Sequence, residues 1–494
     1  MLAFWGGLDD RINALFLPLS EGLTALVFFS LSLGGLELPL ILGWLIAAGL
    51  VFTVALRGIQ WRGFAHAVRL TRGDYSDPAS QGPGETSHFQ ALTMALSGTV
   101  GLGNIAGVAV AIGIGGPGAT FWMIVAGLLA MATKFVECLL GVRFRSHHPD
   151  GSVSGGPMHY LSKGLAQQGW PRLGRWLAGW FALCCIGGAL GGGNMFQANQ
   201  AFGQVLGVTG GADGWWAGKG WLFGLLLAAL LAWVVVGGAR GIARTTARLV
   251  PLMALLYLGA GAVVLLAHAE RIPWALGQIL AGAFTAEGAM GGAIGALIQG
   301  FKRAAFSNEA GIGSAAIAHA TVRTHEPVSE GYVGLLEPFI DTVVICTMTA
   351  LVIVIAAPAV TGLDGVQLTS AAFAQVLPWF PVLLALAVVL FAFSTLLTWF
   401  YYGLKCWTYL LGAGAHTVQA YRWLFMAATV LGASAELGPV IGFSDAMIFL
   451  MALPNVIGLY LLLPLVRADL QDYETRLQAG QLRNFRREGR PPGA

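Results

Sequence analysis

Long apolar runs, separated by short loops rich in arginine or glycine, set the pattern of this 494-residue chain. A helix that crosses a bilayer needs about 20 apolar residues. By that measure the chain holds eleven candidate spans, near 22–56, 88–113, 117–142, 175–206, 220–237, 248–268, 284–320, 331–357, 380–410, 419–434 and 441–465. The runs at 175–206 and 284–320 exceed one straight crossing, so they are expected to tilt, break or carry a loop.

Composition agrees with the pattern. The chain is 56% hydrophobic and 10% charged, where a soluble domain carries about 25% charged residues, and its mean hydropathy is +0.72. The expected fold class is therefore an all-α polytopic membrane protein. Its partners are the lipid bilayer and a small ligand, with no sign of nucleic acid or of an obligate protein partner. Cys138, Cys184, Cys185, Cys346 and Cys406 lack CxxC spacing and read as small buried hydrophobes. Asp9 and Asp10 stand where a cleaved signal peptide would be basic, so no such peptide is expected.

Basic residues set the orientation. Arg57, Arg62, Arg69 and Arg72, then Arg143, Arg145, Lys163, Arg172 and Arg175, then Arg240, Arg244 and Arg248 fall on one side, as do Arg323, Lys405, Arg422 and the arginines after Arg467. The other side holds little beyond Arg11, Lys219 and Arg271. The positive-inside rule then puts the N-terminus outside and the C-terminus in the cytoplasm. With residues 1–87 set aside as an extra helix and basic loop, ten spans remain. They divide five and five into 88–268 and 269–465, followed by a basic tail at 466–494. Two five-span halves enter the membrane from opposite sides, which predicts an inverted repeat.

The stretch Leu96–Asn104, L-S-G-T-V-G-L-G-N, interrupts the first core span with Gly98, Gly101 and Gly103 among Ser97, Thr99 and Asn104. Freed backbone groups at membrane depth are tolerated only against protein or a water-filled cavity, so the cluster predicts a broken helix lining a site; close packing through small residues gives the same pattern. The start of the second half carries glycines at 288, 291, 292, 295 and 300, with Gln299 among them. A broken helix presents amides to an anion and carbonyls to a cation. Here the Leu102 and Gly103 amides are expected to face a carboxylate, and the carbonyls of Ser97, Thr99 and Val100 a cation such as Na⁺ or an ammonium group. Ser394 and Thr395 offer further oxygens in an otherwise apolar helix, with Trp399 one turn on as a pocket wall. Gln197, within G-G-G-N-M-F-Q-A-N-Q (191–200), is a second wall candidate or an interhelical hydrogen-bonding group.

Charges within spans are read locally. Lys134 and Glu137 lie on one helix face and are expected to pair; Glu309 is expected to pair with Arg303 or Arg323. Asp341 and Asp445 read as capping or interfacial residues, and His319 as solitary. His147, His148 and Asp150 give no complete metal set.

S-G-T-V-G-L-G-N-I-A-G-V-A (97–109), G-G-P-G-A-T-F-W-M (115–123), M-A-T-K-F-V-E (131–137) and F-S-N-E-A-G-I-G-S-A-A-I-A-H-A (306–320) closely resemble the alanine or glycine:cation symporter family, over nearly the whole chain. The resemblance implies a leucine-transporter-like fold with one extra helix before a ten-helix core. It implies sodium-driven uptake of a small neutral amino acid, alanine or glycine, across a prokaryotic inner membrane, with sodium as the co-transported ion and no organic cofactor. Carried over by position, the Ser97, Val100 and Phe391 carbonyls with Ser394 and Thr395 would hold sodium. Gly101, Leu102 and Gly103 would hold the substrate carboxylate and the Thr99 carbonyl its ammonium. Asn104 matches a second-ion residue of related transporters, and Gln299–Gly300 would open the second broken helix and hold the ammonium group. A proton-coupled symporter is the alternative. A channel would show a filter signature, and an enzyme a nucleophile–base or HExxH set; the sequence has neither.

Overall fold

A computed structural model describes residues 17–18, 20–33, 36–76, 82–285, 292–356, 363, 365–376 and 378–486. Apart from two hairpins, β1 (Ser30–Leu33) with β2 (Leu36–Pro39) and β3 (Ser146–His147) with β4 (Val153–Ser154), the regular structure is helical. The glycines at 288 and 291, Asp9, Asp10 and Arg11 lie outside the described residues.

Helix α1 (Leu40–Ala55) precedes the core and is followed by the short α2 (Ile59–Arg62) and α3 (Phe64–Thr71). The first core helix is split. Its first piece, α4 (His88–Thr99), starts at a capping box in which the Gln90 amide donates to Ser87 Oγ and the Ser87 amide to Gln90 Oε1. After the break at Val100–Leu102 the chain resumes as a π-helical turn, Gly103–Gly107, and α5 (Val108–Gly115), bent 52° from α4. Then come α6 (Ala119–Arg143), α7 (Pro171–Val208), α8 (Gly220–Val235), α9 (Gly238–Ala267) and α10 (Ile272–Phe284). The second half runs through α11 (Gly292–Asn308), α12 (Ala315–His319), α13 (Pro327–Ala356), α14 (Gly365–Ala374), α15 (Phe380–Leu411), α16 (Ala415–Ser434) and α17 (Leu437–Gln478). The expected spans at 88–113 and 284–320 each divide into two helices, α4–α5 and α11–α12. By length and apolarity alone, α6, α7, α9, α13, α15 and α17 qualify as crossings, and α4–α5 as a bent pair.

Two packing groups emerge. Helix α6 packs along α11, α12 and α13, and α12 also meets α4, so the two broken helices share a bundle with α6 and α13. Helix α7 packs on α15, α16 and α17, and α15 on α16; α4 lies against α9 and α15 across the boundary.

Buried charges pair across helices rather than along them. Lys134 does not pair with Glu137; its ammonium lies 3.0 Å from Glu337 on α13. Glu137 instead accepts from Asn455 of α17 at 2.7 Å. Asp445 is no cap: it is buried between Arg303 and Lys302, the latter at 3.1 Å. The intrahelical rule describes exposed faces, where water screens the charges and a neighbour three or four residues away adds only about 0.2–0.5 kcal/mol. In these interiors the facing helix supplies the partner, a counter-charge for Glu337 and Asp445 and a neutral amide for Glu137.

Helix α3 is anchored by His66, whose Nε2 lies 3.0 Å from the Tyr473 hydroxyl of α17. Burial, reinforced by Arg69, pushes its pKa down from 6.5 to about 4. The folded protein thus binds this proton less readily than the unfolded chain, so the contribution is full above the unfolded value and is lost as pH falls through the window from about 6.5 to about 4. The thermal midpoint in detergent should drop across that window and drop less in His66→Gln; equal acid sensitivity of the two proteins would exclude His66 as a source.

Candidate functional site

The break in the first core helix is held open by one side chain. Asn104 Oδ1 accepts from the Gly101 amide at 2.8 Å. The Asn104 amide in turn donates to the Gly101 carbonyl at 3.2 Å, so the Val100 carbonyl loses its helical partner four residues on. With the Gly101 amide engaged, the next two amides, Leu102 and Gly103, start the second piece, where the helix dipole favours an anion. Glycine is required at 101 by space: a Cβ would lie 2.7 Å from Thr395 Oγ1 and 3.4 Å from Gln197 Oε1.

Helix α15 meets α4 through a run of hydroxyl–carbonyl bonds. Ser97 Oγ donates to the Ser394 carbonyl at 2.7 Å, and Thr395 Oγ1 to the Ser97 carbonyl at 2.9 Å. Ser394 Oγ donates to the Phe391 carbonyl at 3.0 Å, and Thr398 Oγ1 to the Met94 carbonyl at 3.1 Å. Ser97, Val100, Phe391, Ser394 and Thr395 are all buried at this junction. The structure thus gathers the carbonyls of Ser97 and Phe391 with two hydroxyls at the α4–α15 seam, beside the freed Val100 carbonyl. Oxygen-only donors of this kind suit a hard cation.

The opposite wall comes from α7 and from Trp399. Gln197 donates to the Gly192 carbonyl at 3.0 Å, and its Oε1 is buried without a partner. The Trp399 ring packs on Gly193 and is 1% exposed, with its indole N–H donating to Glu309 Oε1 at 3.1 Å. Thr99 stays helical, its hydroxyl bonded back to the Ala95 carbonyl at 3.3 Å. The neighbouring amides of α7 donate to α16 and its C-terminal end, Asn194 to the Phe425 carbonyl at 2.7 Å and Asn199 to the Ala435 carbonyl at 2.6 Å, while Asn194 Oδ1 is left without a partner.

The second break is not at Gln299–Gly300. Both lie inside the continuous α11, against the far end of the first core helix and α6: Gln299 Cβ faces Gly115, and Gly300 abuts Ala119 and Trp122. The chain opens about three turns later, at Glu309–Ser314, where Glu309 (φ 55°), Gly311 (φ 84°) and Gly313 (φ 89°) are left-handed. Glycines at 292, 295 and 300 permit close packing against α6, whereas a positive φ is what ends a helix. The usable signal was polar Ser307-Asn308-Glu309 followed by alternating Gly311 and Gly313, a counterpart of Gly101 and Gly103. Glu309 pairs with neither Arg303 nor Arg323; it accepts from Trp399 and from Ser314 Oγ.

Asp341, expected as a cap, is fully buried and joins the two broken helices. Its Oδ1 accepts from Asn104 Nδ2 at 2.6 Å, and its Oδ2 from Ser307 Oγ at 2.8 Å and Thr342 Oγ1 at 2.7 Å. Nothing in the sequence near Asp341 announces this; a π-helical stretch over Phe339–Cys346 turns it inward. Among the described residues no group of three His, Cys, Asp or Glu is placed to hold a metal.

Residues 29–487 match the family model described as the sodium:alanine symporter family. The chain is 39% identical over 440 residues to the sodium/alanine symporter AgcS of Methanococcus maripaludis, covering 88% of this chain and 94% of that protein. It is 34% identical to the probable sodium/glutamine symporter GlnT of Bacillus subtilis, covering 88% of each. It is 31% identical to the putative sodium/proton-dependent alanine carrier protein YrbD of Bacillus subtilis, over 88% of this chain and 90% of that one. Among solved structures, MhsT in complex with L-phenylalanine superposes with a TM-score of 0.52 at 16% identity, over 78% of this chain and 98% of MhsT. With its helical, membrane-spanning architecture and broken first core helix, the chain belongs to the sodium:alanine symporter family, membrane transporters of amino acids on a leucine-transporter-like fold.

Proposed function

We propose that the protein couples inward movement of sodium to uptake of a small neutral amino acid, alanine or glycine, by alternating access. The observation that carries this reading is the α4–α15 seam, where hydroxyls of Thr395 and Ser394 lie on the carbonyls of Ser97 and Phe391 at 2.9 and 3.0 Å, oxygen donors of the kind a hard cation takes. Sodium would sit among these oxygens and the Val100 carbonyl. The substrate carboxylate would take the Leu102 and Gly103 amides, and its ammonium the Thr99 carbonyl side of the break. Gly101, Gln197 and Trp399 bound the space left for the side chain, which is small. Gln299 and Gly300 drop out of this site. Asn104 serves it by bonding the Gly101 amide, which leaves the break open.

Ion and carboxylate on opposite poles of one break attract each other through a short, water-poor path. Each therefore raises the affinity of the other by the same factor. The bundle of α4–α5, α6, α11–α12 and α13 would rock against the remainder about this site. Arginines gathered at the α2–α3 and β3–β4 end support a reading in which that end faces the cytoplasm and the N-terminus lies outside a prokaryotic inner membrane.

Uptake of radiolabelled L-alanine into proteoliposomes tests the coupling. Accumulation is expected with an inward sodium gradient and not with a potassium control; accumulation on a proton gradient alone would transfer the coupling to protons. Thr395→Val keeps the shape and removes the hydroxyl, and should raise the sodium concentration for half-maximal uptake about tenfold, roughly 1.4 kcal/mol for one charge-assisted contact. An unchanged sodium dependence would take Thr395 out of the ion site.

Gly101→Ala drives a methyl into Thr395 and should cut uptake about tenfold or more in a protein that still folds, the cost of overpacking being about 1–3 kcal/mol. Trp399→Ala should let larger neutral amino acids compete with alanine; unaltered selectivity at an unaltered rate would remove Trp399 from the pocket.

A further inference from the structure

Away from the transport site, the seam between α1 and α17 ends in a basic pocket. The two helices pack through Trp44 and Phe52 on Tyr460, each ring pair 5.3 Å between centroids. The apolar part of α1 stops at Leu56 and that of α17 at Val466, where a crossing helix meets the polar boundary of a bilayer. There a cavity of about 160 Å³ opens, lined by Arg57 and Arg62 beyond α1 and by Arg467, Leu470, Gln471 and Glu474 of α17. That volume is on the order of ten times what one water requires.

The pocket's charges do not balance within the chain. Three guanidiniums face one carboxylate, Glu474, which lies 3.4 Å from Arg62 and accepts from the Tyr332 hydroxyl at 3.1 Å. The neighbouring acidic residues are taken elsewhere. Asp469 pairs with Arg143 at 2.6 Å, while Asp472 and Glu326 pair with Arg476 at 2.8 and 2.7 Å. Arg62 is itself committed, donating to the Arg57 and Leu56 carbonyls at 3.1 and 3.3 Å at the end of α1. Arg57 and Arg467 are exposed, and among the described residues neither pairs with a carboxylate.

The backbone sets Arg57 apart from other surface cations. Its amide donates to the Val54 carbonyl at 3.0 Å, and the Gly58 amide to the Thr53 carbonyl at 2.8 Å, a Schellman closure of α1. The left-handed position of that motif usually holds glycine, yet here it holds Arg57 (φ 54°), and the glycine comes one residue later. Among the described non-glycine residues, Glu309 at the second break is the other one with a positive φ. A branched backbone atom is disfavoured in this conformation, so retaining it there points to a use for the side chain.

We propose that the pocket binds the headgroup phosphate of an anionic phospholipid between Arg57 and Arg467. A phosphodiester oxygen pair matches the planar guanidinium fork, and basic pockets between membrane helices suit such head groups. Exposed Val51 and Val54 of α1, and Leu461 and Pro464 of α17, lie in the turns just before the pocket and offer apolar surface to the acyl chains. Trp61, 65% exposed, stands at the same boundary, where aromatic residues gather. The lipid thereby bridges α1 to α17.

Native mass spectrometry of the full chain in neutral detergent, titrated with phosphatidylglycerol or phosphatidylcholine, tests the site. One phosphatidylglycerol should bind about fivefold more tightly than phosphatidylcholine, and Arg57→Gly and Arg467→Gln should each weaken it about fivefold, the contribution of one arginine near a lipid surface. Arg172→Gln, an exposed arginine at the start of α7, should leave the affinity unchanged. An equal loss in Arg172→Gln would reveal diffuse attraction to a basic surface, and an undiminished affinity in Arg57→Gly would remove the pocket from binding; either overturns the proposal. Because glycine suits the left-handed position, the lipid-free thermal midpoint of Arg57→Gly should equal or exceed that of wild type. A lower midpoint would give Arg57 a structural role and overturn the proposal as well. Inorganic phosphate separates the two sources of the group: millimolar phosphate should leave the lipid bound, and its displacement would assign the pocket to a soluble phosphate and reject the lipid.

Discussion

A backbone N–H or C=O with no partner is costly inside a bilayer, and this requirement governs the molecule. Two helices of the core nevertheless open, at Val100–Leu102 and at Glu309–Ser314, and side chains take up part of what each opening frees. Asn104 takes the Gly101 amide at the first, and Asn308 takes the Ala310 amide at the second, at 3.0 Å. Asn455 of α17 donates to the freed Gly311 carbonyl at 2.8 Å. Groups left over face inward, where a cation or a zwitterion can complete them. The proposed site is what the first opening leaves unpaired.

The same economy explains the buried polar network. Asp341 collects Asn104, Ser307 and Thr342, so the two breaks are tied through α13 rather than left to pack independently. Trp399 does similar work from the other side, walling the space beside Gly193 and bonding Glu309. A ligand at the first break therefore acts on groups that already communicate with the second. This gives coupling a physical carrier, in contacts that differ between two arrangements of the bundle.

Charges follow a consistent rule across the structure. Where water is absent, a carboxylate is partnered from another helix, by a cation as with Glu337 and Lys134 or Asp445 with Arg303 and Lys302, or by neutral donors as with Glu137 and Asn455. Such pairs contribute little net stability compared with apolar packing, but losing one partner strands a charge at a cost of several kcal/mol. They fix which helices move together. The Lys134–Glu337 pair lies within the bundle, whereas Arg303 and Lys302 reach from the bundle to α17.

Much of this was legible in the sequence. Apolar runs of span length gave the helices, because a bilayer imposes a length that any crossing segment must meet. The alternation in Leu96–Asn104 gave the first break, because glycine and short polar residues at membrane depth have few other uses. Ser394 and Thr395 stood out for the same reason, as paired hydroxyls in an apolar helix. What the sequence left open was every partnership between distant segments. Lys134 next to Glu137, or Glu309 near Arg303, looks paired along the chain, yet each of these groups is turned toward a different helix. The second break was misplaced by the density of glycines at 292–300, which serve packing against α6. Local composition decides where a helix can open and where it can cross. Which carboxylate meets which cation depends on rotation and depth of packed helices, and only the tertiary structure sets those.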